Sequence, residues 1–124
     1  MKLIDDFFTL NNLTAKVNGL SAVIELNRRH IIYSAHFPGN PVTPGVVQLQ
    51  IVNELLEKYC GRKFKLKEIL DCKFLKVLSP EDTKELIIEI ELDNQNKYIN
   101  AKAIGKSATN IYFKLNSVYE LGLK

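Results

Sequence analysis

Three prolines and two glycines fall within the nine residues Phe37–Gly45. Proline fixes φ and supplies no amide hydrogen, so this stretch is neither a helix interior nor a central strand. It is a loop, and it divides the chain into unlike parts. Directly after it, Val46–Tyr59 takes up helical periodicity. Leu49, Ile51, Val52, Leu55, Leu56 and Tyr59 form a broad apolar face, with Gln50, Asn53, Glu54 and Glu57 opposite. Gly61 supplies a stop. A stripe this wide belongs to a helix mostly enclosed by other elements.

The other segments read as strands. Leu20, Ala22, Ile24 and Leu26 alternate with more polar neighbours, and a preceding strand around Thr14–Val17 would join them through Asn18-Gly19. Residues 3–9 read as a short amphipathic turn or helix. Beyond the long helix, Leu66–Val77, Leu86–Leu92, Tyr98–Ile104 and Ile111–Tyr119 are strand candidates, with turns at Ser79–Asp82 and Asp93–Asn96. The order β-β-loop-helix-β-β-β-β predicts an α+β fold with a curled sheet over one buried helix.

Composition narrows the classes. With 124 residues, 46% hydrophobic and 25% charged, the chain is ordinary for one globular domain. No apolar run reaches the length of a membrane span. The N-terminal residues lack a secretory pattern, which makes the cytoplasm the expected location. A net charge of +3 is too weak to indicate nucleic acid. Six basic residues do gather in 62–76: Arg62, Lys63, Lys65, Lys67, Lys73 and Lys76. They read either as lysines guarding a sheet edge or as a landing patch for an acidic partner. Cys60 and Cys72 match no zinc or redox spacing, so reduced thiols and no metal site are expected. Asn12-Leu13-Thr14 matches a glycosylation sequon without other support, and His30, beside Arg28 and Arg29, reads as a surface residue.

The loop carries the chemistry. It holds His36, a base suited to neutral pH, and delivers the chain to a helix N-terminus at Gly45-Val46. Unsatisfied N–H groups and the positive dipole end there can stabilise a developing oxyanion. Gly45 would let a ligand approach the backbone.

His36-Phe37-Pro38-Gly39-x-Pro41-x-x-Pro44-Gly45-Val46, continued by Gln48-Leu49 and by the phrasing of Ile69–Asp82, resembles the β-hydroxyacyl-acyl carrier protein dehydratases. That resemblance implies a single hotdog domain over residues 1–124, with five to six antiparallel strands wrapped around a central helix. It implies His36 as general base on a 3-hydroxyacyl thioester. Phe37, Pro38, Gly39, Pro44, Gly45 and Val46 would surround the substrate, and the thioester carbonyl would lie on the N–H near Gly45 or Val46. It also implies a homodimer, or a trimer of dimers, whose two chains share each site. No cofactor is expected beyond the phosphopantetheine that carries the substrate, and the expected partner is an acyl carrier protein or an acyl-CoA thioester. Arg28, Arg29, Arg62, Lys63, Lys65, Lys73 and Lys76 would then meet the acidic carrier protein.

Three positions depart from the pattern: Ala35 stands where the family usually has glycine before the histidine, and two more lie on the helix. The family's acid falls on residue 50, which is Gln50, and its usual glutamine one turn later is Glu54. An amide cannot act as a Brønsted acid. Residues 50 and 54 share a helix face, with Cβ atoms ~5–6 Å apart, so Glu54 is either a displaced acid or an exposed helix carboxylate. The chain therefore reads as a dehydratase-like hydro-lyase of fatty acid or of specialised lipid or polyketide synthesis, weak or inactive for want of the acid. A non-catalytic thioester-binding protein and a hotdog thioesterase are the alternatives.

Overall fold

The computed structural model describes residues 2–35 and 39–122. Six strands, β1 (Phe8–Lys16), β2 (Gly19–Leu26), β3 (Phe64–Phe74), β4 (Glu85–Gln95), β5 (Tyr98–Lys106) and β6 (Ile111–Leu121), form one sheet. Two helices, α1 (Ile31–Ala35) and α2 (Gly45–Cys60), lie between β2 and β3. The sheet order is β1-β2-β4-β5-β6-β3, antiparallel throughout.

Strand alternation builds the core. Leu20, Ala22 and Ile24 of β2, Leu86, Ile88 and Ile90 of β4, Ala101 and Ala103 of β5, and Phe113, Leu115 and Tyr119 of β6 are buried. They form one cluster with Ile51, Val52, Leu55 and Leu56 of α2. A side chain of this kind contributes roughly 1.5–3 kcal/mol when fully buried. Most alternate residues of the same strands are charged or half-exposed, and Lys106 Nζ meets Glu89 Oε1 at 2.7 Å on that outer face. Gly61 closes α2 in the left-handed region, at φ 66°, donating its N–H to Glu57 O.

Several local expectations are corrected. Of the two readings for residues 3–9 the structure takes the turn, at residues 5–7, and only the extent differs, because β1 already starts at Phe8. The first hairpin turns on Val17-Asn18, because Gly19 already pairs with Lys16. Gly19 is needed for close approach: a Cβ there would lie 1.9 Å from Ile90 O. The second hairpin turns on Asn96-Lys97, since Gln95 pairs with Tyr98. The short helix α1 was not foreseen. His30 caps it, accepting the Ile32 N–H at Nδ1 (3.0 Å) while Nε2 meets Asp6 at 3.1 Å. Its ring also packs edge-on against Phe7, so His30 is held in place and not free on the surface.

β3 is a sheet edge with unusual burial. Leu66, Ile69, Cys72 and Phe74 pair with Tyr119, Ser117, Leu115 and Phe113 and so share the helix-side face. The β6 residues are buried, yet Leu66, Ile69 and Phe74 are exposed. Cys60 and Cys72 are both free thiols. Partial burial pushes both upward, with Asp71 adding to the effect at Cys72.

Candidate functional site

The loop before α2 is pinned from three sides at Thr43. Its N–H donates to Leu78 O at 2.8 Å. Its Oγ1 meets the Tyr33 hydroxyl at 2.8 Å. Its carbonyl accepts Gln48 Nε2 at 3.0 Å. Burial pushes the Tyr33 phenol up to about 12, against the opposing effect of its bond to Thr43.

This anchoring fixes the start of α2. The first intrahelical bonds run from Val47 N and Gln48 N to Pro44 O, and no side chain caps the first turn. The N–H groups of Gly45 and Val46 precede any helical acceptor, which suits them to an anion or a polarised carbonyl. Pro44 and Gly45 are half-buried, and Val46 is exposed. A cleft of about 480 Å³ lies beside this turn, bounded by Thr43, Gly45, Gln48, Phe74, Lys76 and Leu78. The space over Gly45 belongs to Phe74: a Cβ on Gly45 would come within 2.7 Å of that ring. The close approach on the Cα side of Gly45 is thus made by a side chain of the protein itself. Gly39 sits at φ 82° in an exposed turn. His36, Phe37 and Pro38 lie outside the described residues.

Further along α2, Gln50 Nε2 donates to Glu54 Oε2 at 2.8 Å. Glu54 is only 7% exposed, so it is not a solvent-facing carboxylate. It accepts the Leu3 N–H at both oxygens (3.0 and 2.8 Å) and the Ile4 N–H at Oε1 (2.8 Å). The supposed polar face of α2 is in part an attachment site for the N-terminal segment. Gln50 and Glu54 also border a second cleft of about 490 Å³ with Lys2, Ile4, Arg62 and Lys63.

The basic residues do not converge. β3 is eleven residues long, roughly 35 Å at strand rise. Arg62, Lys63 and Lys65 stand at one end, where Arg62 donates to Gly122 O at 3.1 Å. Lys73 and Lys76 stand at the other, Lys73 4.0 Å from Asp71 and Lys76 bonded to Asn110. Arg28 and Arg29 are exposed elsewhere, bordering a cleft with Asp5, Glu25 and Glu81. Only Lys76 among them borders the cleft at the start of α2. Among the described residues no group of His, Cys, Asp or Glu has the placement of a metal site, and no helix is long and apolar enough to cross a membrane.

A family model described as ApeI-like, ApeI dehydratase, matches residues 13–111. The chain belongs to the ApeI-like dehydratase family. That span takes in the loop, α2 and β2 to β5 whole. The chain is also similar to the 3-hydroxyacyl-[acyl-carrier-protein] dehydratase FabZ of Clostridium acetobutylicum, 35% identical over 66 residues, 48% of this chain and 47% of that protein. The FabZ of Lactobacillus helveticus is 35% identical over 71 residues, 52% and 48% of the two chains. The chain spans about half the length of these curated relatives.

Solved structures confirm the hotdog fold. The dehydratase heterocomplex ApeI:P from Xenorhabdus doucetiae matches at TM-score 0.70 and 18% identity, covering 90% of this chain and 96% of that one. A hypothetical thioesterase with coenzyme A from Streptococcus pneumoniae matches at 0.62 and 12%, covering 93% and 85%.

Sequence reasoning missed Phe74 and the Tyr33–Thr43–Gln48 linkage. A signal for Gln48 existed. It precedes Val52 by one turn and Leu55 by two, so a polar side chain stands on the enclosed face.

Proposed function

We propose that this chain acts on 3-hydroxyacyl thioesters carried on phosphopantetheine, as a dehydratase-like member of its family, and that it does so slowly. The amide at position 50 carries this reading. In the proposed site His36 takes the α-proton, and the negative charge developing on the thioester oxygen meets the N–H groups of Gly45 and Val46. Loss of the β-hydroxyl as water then needs a proton; Gln50, reaching this site from the second copy of the homodimer, cannot supply it as an acid, so solvent water or the protonated His36 must. The missing acid is worth ~10²–10⁴-fold in rate. Phe37, Pro38, Gly39 and Pro44 would line the acyl path, and Lys76, with Lys73, would meet the carrier's acidic surface at the cleft mouth. Arg28, Arg29, Arg62, Lys63 and Lys65 would make separate, longer-range contributions to docking.

The exposed edge of β3 supports a homodimer. Its free backbone groups and the apolar Leu66, Ile69 and Phe74 suit a second copy of the same strand. Gln50 also favours a second reading, in which the thioester is bound without being dehydrated. Incubation with a 3-hydroxyacyl and a saturated acyl pantetheine thioester separates the outcomes. Enoyl product from the first supports dehydration. Binding without product supports the second reading, and release of free thiol from either would show hydrolysis instead.

A further inference from the structure

Gln48 sits three residues into α2 and is only 4% exposed. Its Nε2 donates to Thr43 O at 3.0 Å. That bond sets the amide's orientation, because the reverse would press two acceptor oxygens together. Thr43 cannot readily yield, being held by Tyr33 and by Leu78 O. Gln48 Oε1 is consequently buried, and no described residue gives it a hydrogen. Native proteins leave few such acceptors unpaired. Gln48 borders the same cleft as Gly45, one helical turn earlier, where Phe74 and Leu78 supply apolar wall.

The order of groups along that turn is specific. First come the N–H donors of Gly45 and Val46, then the Gln48 acceptor, on an apolar wall. A 3-hydroxyacyl thioester offers the complement: a carbonyl acceptor and, two carbons away, a hydroxyl donor. We infer that Gln48 is the specificity residue for the 3-hydroxyl group, its Oε1 accepting the hydroxyl hydrogen while the thioester carbonyl lies on the Gly45 and Val46 amides. This rests on the thioester reading above. A saturated acyl chain has nothing to give Oε1, so it leaves the acceptor unpaired and binds more weakly.

The test is calorimetric binding of 3-hydroxybutyryl, butyryl and 3-fluorobutyryl pantetheine thioesters. The fluoro compound matches the hydroxyl in size but donates no hydrogen. The wild-type protein is expected to favour the hydroxy compound about tenfold over both others. Gln48→Met removes the acceptor and should equalise the three, whatever loss of the Nε2 bond to Thr43 does to their common affinity. Equal wild-type affinity for the hydroxy and fluoro compounds overturns the inference, as does a Gln48→Met protein that keeps the preference. The wild-type series decides the matter even where Gln48→Met does not fold. Failure to bind any of the three is a different result: it removes the thioester reading, and the inference with it.

Discussion

Both carboxylate oxygens of Glu54 lie within 3.0 Å of the Leu3 amide nitrogen, and one of them also takes the N–H of Ile4. A residue from the middle of α2 thereby ties down the start of the chain. Leu3 and Phe7 behind it are buried in the core. The same carboxylate accepts Gln50 Nε2, so position 50 is oriented by the group that holds the N-terminal segment.

Glu54→Ala should therefore act on stability. It strips partners from two backbone N–H groups and from the Gln50 amide. Hydrogen bonds to a charged group are worth about 1.5–3 kcal/mol, and a loss of about 2–3 kcal/mol in urea unfolding is expected. A displaced acid predicts a different pattern: a large fall in dehydration at unchanged stability. Measuring both quantities on one preparation separates the two roles.

Tyr33 gives a prediction in alkali. Its folded pKa, about 12, lies above the ordinary value of 10.0 because the phenolate would be buried. The unfolded chain releases this proton first as pH rises. The stabilising contribution is complete below pH 10 and is lost as pH climbs from 10 towards 12. Unfolding free energies of the wild type should fall more steeply across that window than those of Tyr33→Phe. Parallel profiles would mean that the phenol is not protected.

β3 offers a third test. Ile69 lies on the helix-side face of an edge strand with its side chain half in solvent. In a dimer built on this edge Ile69→Lys buries a charge at the contact and should yield monomers in sedimentation at concentrations where the wild type is dimeric. Lys65→Glu, at the far end of the same strand, should leave the dimer intact.

The large elements were legible in the sequence because hydrophobic period reports burial directly. The alternation Leu86-x-Ile88-x-Ile90 and the helical run from Ile51 to Leu56 each lead to the observed element. What periodicity could not carry was the partner of each polar group. Glu54 falls on the polar side of the wheel and is nevertheless buried, because Leu3 and Ile4 fold over it from fifty residues away. Asn18-Gly19 marks the right hairpin but the wrong turn, since Gly19 is required by the Ile90 carbonyl on the neighbouring strand. The six basic residues of 62–76 look like one patch as a string, but an extended strand separates them into two ends. For the site itself, the motif names the loop and the helix start, while Phe74 over Gly45 depends on β3 returning beside α2.

The central claim is that a dehydratase scaffold carries an amide where an acid is needed, and Gln50→Glu tests it most directly. The new carboxyl would face Glu54 across the present 2.8 Å contact, and two carboxylates that close share a proton, which keeps an acid available near neutral pH. The measurement is the rate of enoyl formation from a 3-hydroxyacyl thioester by the wild type and by Gln50→Glu, with His36→Ala added to each. The account predicts a gain of ~10²-fold or more in Gln50→Glu that disappears with His36→Ala. A folded, thioester-binding Gln50→Glu protein with no gain, or a gain indifferent to His36, would contradict it.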